Sequence, residues 1–145
     1  MKKDDLLMIL SGLPEDTPVC AVYSEGRYYS TRYVSIINGI KIYAQRTGGL
    51  AASIHVDEVN TMDDEDGKSF SDGTISKTEV ETILKLIPEN ADVTGSFSYK
   101  DYKSVYECYI HHISLYRTED SRLAMTIVLY RGKEEKSAPG INQAA

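Results

Sequence analysis

Cysteine is scarce in this chain: two residues in 145, Cys20 and Cys108, too few for the disulfide framework of a small secreted domain. Two buried thiols in a reducing compartment are expected instead. No apolar run approaches the roughly 20 residues that span a bilayer, so no membrane partner is expected. In Met1–Leu13, acidic residues precede a very short apolar stretch, so a secretory signal is not expected there and a soluble, cytoplasmic protein is. Positive charge is in deficit, with 16 Lys and Arg against 22 Asp and Glu, a net charge of −6 and a pI near 5.0. General nucleic-acid binding rests on neutralising phosphates, and this balance argues against it. Catalytic signatures are missing too: there is no Gly-x-Ser-x-Gly elbow, phosphate loop or dinucleotide fingerprint. Neither cysteine has a glycine elbow or helix N-terminus beside it to lower its thiol pKa. No cofactor and no enzyme activity are expected.

What the chain does have is itself, twice. Residues 1–24 align with 75–98 at a shift of 74, and residues 29–57 align with 102–130 at a shift of 73, giving fifteen identities in fifty-three pairs. Lys3/Lys77, Leu10/Leu84, Pro14/Pro88 and Val19/Val93 carry the first block; Tyr33/Tyr106, Ile37/Ile110, Tyr43/Tyr116, Leu50/Leu123 and Ile54/Ile127 carry the second. The one-residue slip falls in Glu25–Tyr28, a turn, where deletion costs least. What both copies keep is architecture, and what only one keeps is a candidate for function. Cys20 and Cys108 align with Thr94 and Ser35, so the cysteines do not occupy equivalent positions.

Each copy reads as a helix followed by strands. Leu6, Ile9, Leu10 and Leu13 follow helical spacing, and Val80, Ile83, Leu84 and Ile87 repeat it. Ser76-Lys77-Thr78-Glu79 fits a capping box, and Pro14 or Pro88 stops each helix. Val93, Gly95, Phe97 and Tyr99 alternate with Thr94, Ser96 and Ser98, as a half-buried strand requires. Asn38-Gly39 between Ile37 and Ile40 predicts a two-residue hairpin, with Val34 facing Tyr43 and Ile36 facing Lys41. His111-His112 takes the same place in the second copy. The apolar face, under the helices, carries Tyr29, Tyr33, Ile37, Ile40 and Ile42, or Tyr102, Tyr106, Cys108, Ile110, Ile113 and Leu115.

The expected organisation is a first αβββ repeat at 1–57, an acidic linker at 58–73, a second repeat at 74–130 and a disordered tail at 131–145, all in one domain. The fold class is α+β, an internal duplication αβββ-αβββ with antiparallel strands, helices on one face and a pseudo-two-fold axis. In the linker, Asp64, Asp66 and Gly67 suit a calcium loop, but Met62 and Gly73 occupy its two end positions, so no metal is expected. His55, His111 and His112 are expected at edges or in solvent, since neighbours on a strand point apart.

The sheet face away from the helices is richer. It carries Tyr28, Arg32, Lys41, Tyr43 and His55 in the first copy, and Tyr109, Tyr116 and Tyr130 in the second. Tyrosine, arginine and β-branched residues compose interface centres, whereas a solvated face would be Lys, Glu, Thr and Ser. Binding of a protein partner or self-association follows, unless the rings are ordinary cross-strand pairs. A second reading makes Tyr28, Arg32, Lys41 and Tyr43 a small-ligand sponge for an anionic metabolite or nucleotide. An enzyme with a dispersed site is the third.

A helix followed by three strands also invites comparison with double-stranded RNA-binding domains, but the second helix, Lys77-Thr78-Glu79-Val80-Glu81-Thr82, is acidic where those domains place lysines. The opening Asp5-Leu6-Leu7, followed by Leu13-Pro14-Glu15-Asp16-Thr17-Pro18-Val19, resembles the start of short uncharacterised proteins of bacteriophages and prophages. The likeness covers about twenty residues, with an echo at Ile87–Val93. It implies a small accessory protein acting by binding, and it brings no catalytic residue.

Overall fold

The computed structural model describes residues 1–25, 31–60, 74–101, 104–118 and 121–132. The fold is α+β, two helices on a mostly sheet core of eight strands. Helix α1 spans Lys3–Ser11 and α2 spans Lys77–Leu84. The strands are β1 (Pro18–Glu25), β2 (Thr31–Ile36), β3 (Gly39–Ala44), β4 (Leu50–Asp57), β5 (Ile75–Ser76), β6 (Val93–Ser98), β7 (Val105–Arg117) and β8 (Leu123–Arg131). A short 3-10 turn follows β4 at Glu58–Asn60. The rest of the expected linker, with Asp64, Asp66 and Gly67, lies outside the described residues, as does the tail from 133. Arg131, expected in the tail, still pairs with Cys108 as part of β8.

The capping box forms as the sequence predicts. Ser76 Oγ accepts from the Glu79 N–H at 3.3 Å, and Glu79 Oε2 accepts from the Ser76 N–H at 3.1 Å. No residue of α1 supplies such a side-chain cap; instead the Lys3 N–H donates to Ala91 O at 2.8 Å. The Lys77 N–H does the same to Thr17 O at 2.9 Å. Each helix therefore begins against the entry of a strand from the opposite half.

The strands form one sheet in the order β2-β1-β8-β7-β6-β4-β3, with β5 on β1. Two pairings are parallel, β1 with β8 and β4 with β6; the others are antiparallel. Val19 lies opposite Met125 and Tyr23 opposite Leu129; Val93 lies opposite Ala52 and Phe97 opposite Val56. Shifting by 74 and 73 turns the first pair of registers into the second. The two hairpin turns agree as well: the Gln45 N–H bonds Gly49 O at 3.0 Å, and the Thr118 N–H bonds Arg122 O at 2.8 Å.

The expected Asn38-Gly39 hairpin does not form. Chain 31–44 runs on, β2 pairing with β1 and β3 pairing with β4, so Val34 faces Val22 rather than Tyr43, and Lys41 faces Ser53 rather than Ile36. Neither Asn38 nor Gly39 adopts the positive φ of a primed turn. Each half of the segment has a full strand to pair with, and that outweighs local turn preference. Because only two residues separate β2 from β3, their ends come within about 11 Å, and the sheet must curl until its two outer strands meet there. The second half has no break: β7 passes through His111-His112 with an irregularity in register between Ile110 and His112.

One core fills the inner face. Leu6 and Leu10 of α1 and Val80 and Leu84 of α2 pack with Val19, Ala21, Tyr23, Ile54, Val56, Phe97, Ile110, Met125, Ile127 and Leu129. Ile37 and Ile110 are buried, and Tyr33, Ile40 and Ile113 are half-buried against this cluster. Ile42 and Leu115, expected in the core, are 39% and 49% exposed where β3 and β7 run out. Cys108 belongs to this core, while Cys20 alternates with Val19 and Ala21 and so faces away from it. Both thiols are buried and free, as expected.

Candidate functional site

On the opposite face a second buried layer of small residues comprises Cys20, Val22, Ala51, Ala124, Thr126 and Val128. Tyrosines roof it. Tyr43, opposite Ala51, has its hydroxyl 3.3 Å from Thr94 Oγ1. Tyr116, opposite Ala124, hydrogen-bonds the Cys20 thiol, which also sits 3.4 Å from Thr126 Oγ1. Each ring therefore packs over its strand partner in its own half while its hydroxyl bonds a residue of the other half.

The other expected residues separate into distinct places. Arg32 on β2 faces Ser24 of β1, while Lys41 and Tyr43 on β3 face Ser53 and Ala51 of β4. They belong to different strand pairs. Tyr28 lies outside the described residues, as do Tyr29 and Tyr102 of the expected apolar face.

His55, expected in solvent, is buried, and its Nδ1 lies 2.8 Å from Ser96 Oγ. Ser53 Oγ donates to Ser96 Oγ at 3.4 Å. Burial, then the neighbouring Lys41, holds the His55 pKa below its ordinary value, against the opposing pull of Asp57. A serine hydroxyl on a histidine nitrogen is half of a nucleophile–base arrangement. Yet β4 and β6 are paired on both sides here, so their backbone N–H groups are committed to the ladder and cannot form an oxyanion hole. The cluster is satisfied polar packing.

The densest group is on β7 and β8. Tyr109 and Tyr130 are partners in register, with ring centroids 5.9 Å apart. His111 stacks on Tyr130 at 4.0 Å and 17°, and lies 6.2 Å from Tyr109. The irregularity at Ile110/His112 undoes the expected alternation, because a bulge turns two successive side chains to one side. His111 and His112 converge until their Nδ1 atoms are 2.7 Å apart. Burial, then His111 and Arg32, lowers the His112 pKa. This pairing was illegible in the sequence, since a bulge depends on how β7 counts against β8. Among the described residues no three His, Cys, Asp or Glu side chains gather to hold a metal, and no helix is long and apolar enough to cross a membrane. Comparison with protein families, characterised proteins and solved structures finds no match to this chain.

Proposed function

We propose that the chain is a small, non-enzymatic binding protein made of two copies of one helix-and-strand unit, with both helices on one face and a protein partner engaged by the other. The duplication is supported by the equal registers of the two parallel pairings and by the reciprocal Lys3–Ala91 and Lys77–Thr17 bonds. Helices on one face are supported by the shared core of Leu6, Leu10, Val80 and Leu84 with alternate strand residues.

The Tyr109–His111–Tyr130 group carries the binding reading. Its rings are fixed against one another yet only half-buried or exposed, with exposed Val105 four residues along β7 from Tyr109. Rigid aromatic side chains lose little conformational entropy on binding and so make efficient contact anchors. Tyr43 and Tyr116 contribute less, because each hydroxyl is already bonded within the sheet, to Thr94 and to Cys20. In this reading the protein works in the cytoplasm, as a small accessory protein of the phage and prophage kind that its opening resembles.

The test is photo-crosslinking in cells from position 130, with position 85, just past the end of α2, as the control. Adducts are expected from 130 and not from 85, and their mass distinguishes a second copy from another protein. Equal yields from both positions would remove the reading.

A further inference from the structure

A cavity of about 200 Å³ lies between the turn after α1 and the start of β8, lined by Pro14, Asp16, Thr17, Arg122 and Leu123. Thr17 is 2% exposed, and its hydroxyl is a buried side-chain group with no hydrogen-bond partner. Its backbone is satisfied, the N–H donating to Pro14 O at 3.1 Å and the C=O accepting from Lys77 N–H. Only the hydroxyl is stranded. A buried hydroxyl without a partner loses its hydration and gains nothing in return. Arg122 and Asp16 approach loosely, Nη2 to Oδ2 at 3.7 Å, with side chains 49% and 83% exposed. That separation exceeds a charge-assisted hydrogen bond, so both charges can take a closer partner.

Comparison of the halves makes the same division. At shifts of 74 and 73, the apolar walls recur, Pro14 as Pro88 and Leu123 as Leu50. The polar groups do not: Asp16 becomes Asn90, Thr17 becomes Ala91 and Arg122 becomes Gly49. Cation, anion and hydroxyl occur together in one half only.

We propose that this cavity binds a small zwitterion of the free α-amino acid class. The ligand carboxylate meets the Arg122 guanidinium, whose paired N–H groups suit a carboxylate in two-point geometry. The ligand ammonium meets Asp16, and a short apolar side chain lies on Pro14 and Leu123. The size agrees, since the volume is that of about six or seven waters. The site is independent of the sheet-face reading above.

The experiment is a titration of the full chain with L-valine, followed through backbone amide shifts, with acetate and n-butylamine as one-charge controls. Saturable shifts are expected at Asp16, Thr17, Arg122 and Leu123 with L-valine and with neither control. Arg122→Gln is expected to weaken binding about tenfold or more, the loss of a charge-assisted pair. Thr17→Val is expected to raise the ligand-free melting temperature, because it removes a stranded hydroxyl at constant shape. No saturable shift by about 10 mM L-valine, weaker than any useful site, would overturn the proposal. So would acetate alone reproducing the L-valine response.

Discussion

The rings of Tyr23 and Phe97 stack at 3.8 Å between centroids and 7° between planes, and the two residues stand 74 positions apart. They hold the same register place on the two parallel strand pairs, Tyr23 opposite Leu129 and Phe97 opposite Val56. Tyr33 and Tyr99 close around them, Tyr33 tilted on Phe97 at 5.3 Å and Tyr99 edge-on at 5.0 Å. The Tyr23 hydroxyl donates to Glu25 Oε2 at 2.7 Å, and Arg131 Nη1 lies 3.6 Å from the same oxygen. Here the two halves of the inner face meet.

Removing one member of this stack is costly on both sides of it. Phe97→Ala should destabilise by roughly 3–5 kcal/mol, the usual loss for a buried ring with its cavity. Tyr23→Phe keeps the stack and loses one hydrogen bond, so about 1 kcal/mol is expected. Urea unfolding at constant m measures both. Equal costs for the two variants would show that the ring contact is not the main contribution.

Gly95 is fixed by a neighbour rather than by backbone conformation. A Cβ there would meet Leu129 Cδ2 at 2.7 Å and Cδ1 at 2.8 Å, and Leu129 is fully buried with no room to swing away. The corresponding positions in the other half are Ala21 and Val56, one methyl larger and one methylene smaller. Gly95→Ala should therefore cost about 1–3 kcal/mol through overpacking. Adding Leu129→Val should restore part of that loss, a coupling that a double-mutant cycle reads directly. Strict additivity would break the link between the two sites.

Much of this architecture was open to reading in the chain. The helical spacing of Leu6, Leu10, Val80 and Leu84, the capping box and the alternation of Val93–Ser98 all come from local periodicity, and all are present. The hairpin at Asn38-Gly39 misled because turn preference is local, whereas the pairing of β2 with β1 is decided by residues far along the chain. His111-His112, poor turn residues at the equivalent place, were the available hint that the strand continues. Of the expected sheet-face residues, Tyr109 and Tyr130 come together as register partners, which depends on strand order. The cavity at Thr17 also has a signal in the sequence: Asp16, Thr17 and Arg122 align with Asn90, Ala91 and Gly49, whereas Pro14 and Leu123 align with Pro88 and Leu50.

Cysteine reactivity should report on unfolding alone. Burial raises the Cys20 pKa, against its hydrogen bonds to Thr126 and Tyr116, and burial pushes Cys108 up to about 12, against the pull of Arg131. Neither presents a thiolate at neutral pH, and the thiolate is the reactive form. Labelling with a thiol-specific disulfide reagent should be slow for both in buffer and rapid for both in denaturant. The two thiols lie on opposite faces of the sheet, so oxidation should yield no internal disulfide. Fast labelling of one thiol in buffer would mean that its face opens locally.

Stability should fall on mild acidification, and two histidines should account for it. His55 and His112 are both held below the ordinary value of 6.5, chiefly by burial, with Lys41 adding to the first and His111 and Arg32 to the second. The unfolded chain takes up protons at its ordinary pKa while the folded chain still refuses them. Between the folded pKa and 6.5 the unfolded state binds more protons, so unfolding free energy rises with pH there. The contribution is complete above about pH 6.5 and is lost as pH falls below it. Asp92 acts in a separate, lower window: its hydrogen bond to Lys2 depresses its pKa below 3.8, so its contribution disappears only as pH falls from there. Urea titrations across pH 5–7.5 should show a slope in the parent that is flattened in a His55→Asn, His112→Asn double variant, whose amides keep hydrogen-bonding capacity without titrating. An unchanged slope in that variant would move the acid sensitivity away from both histidines.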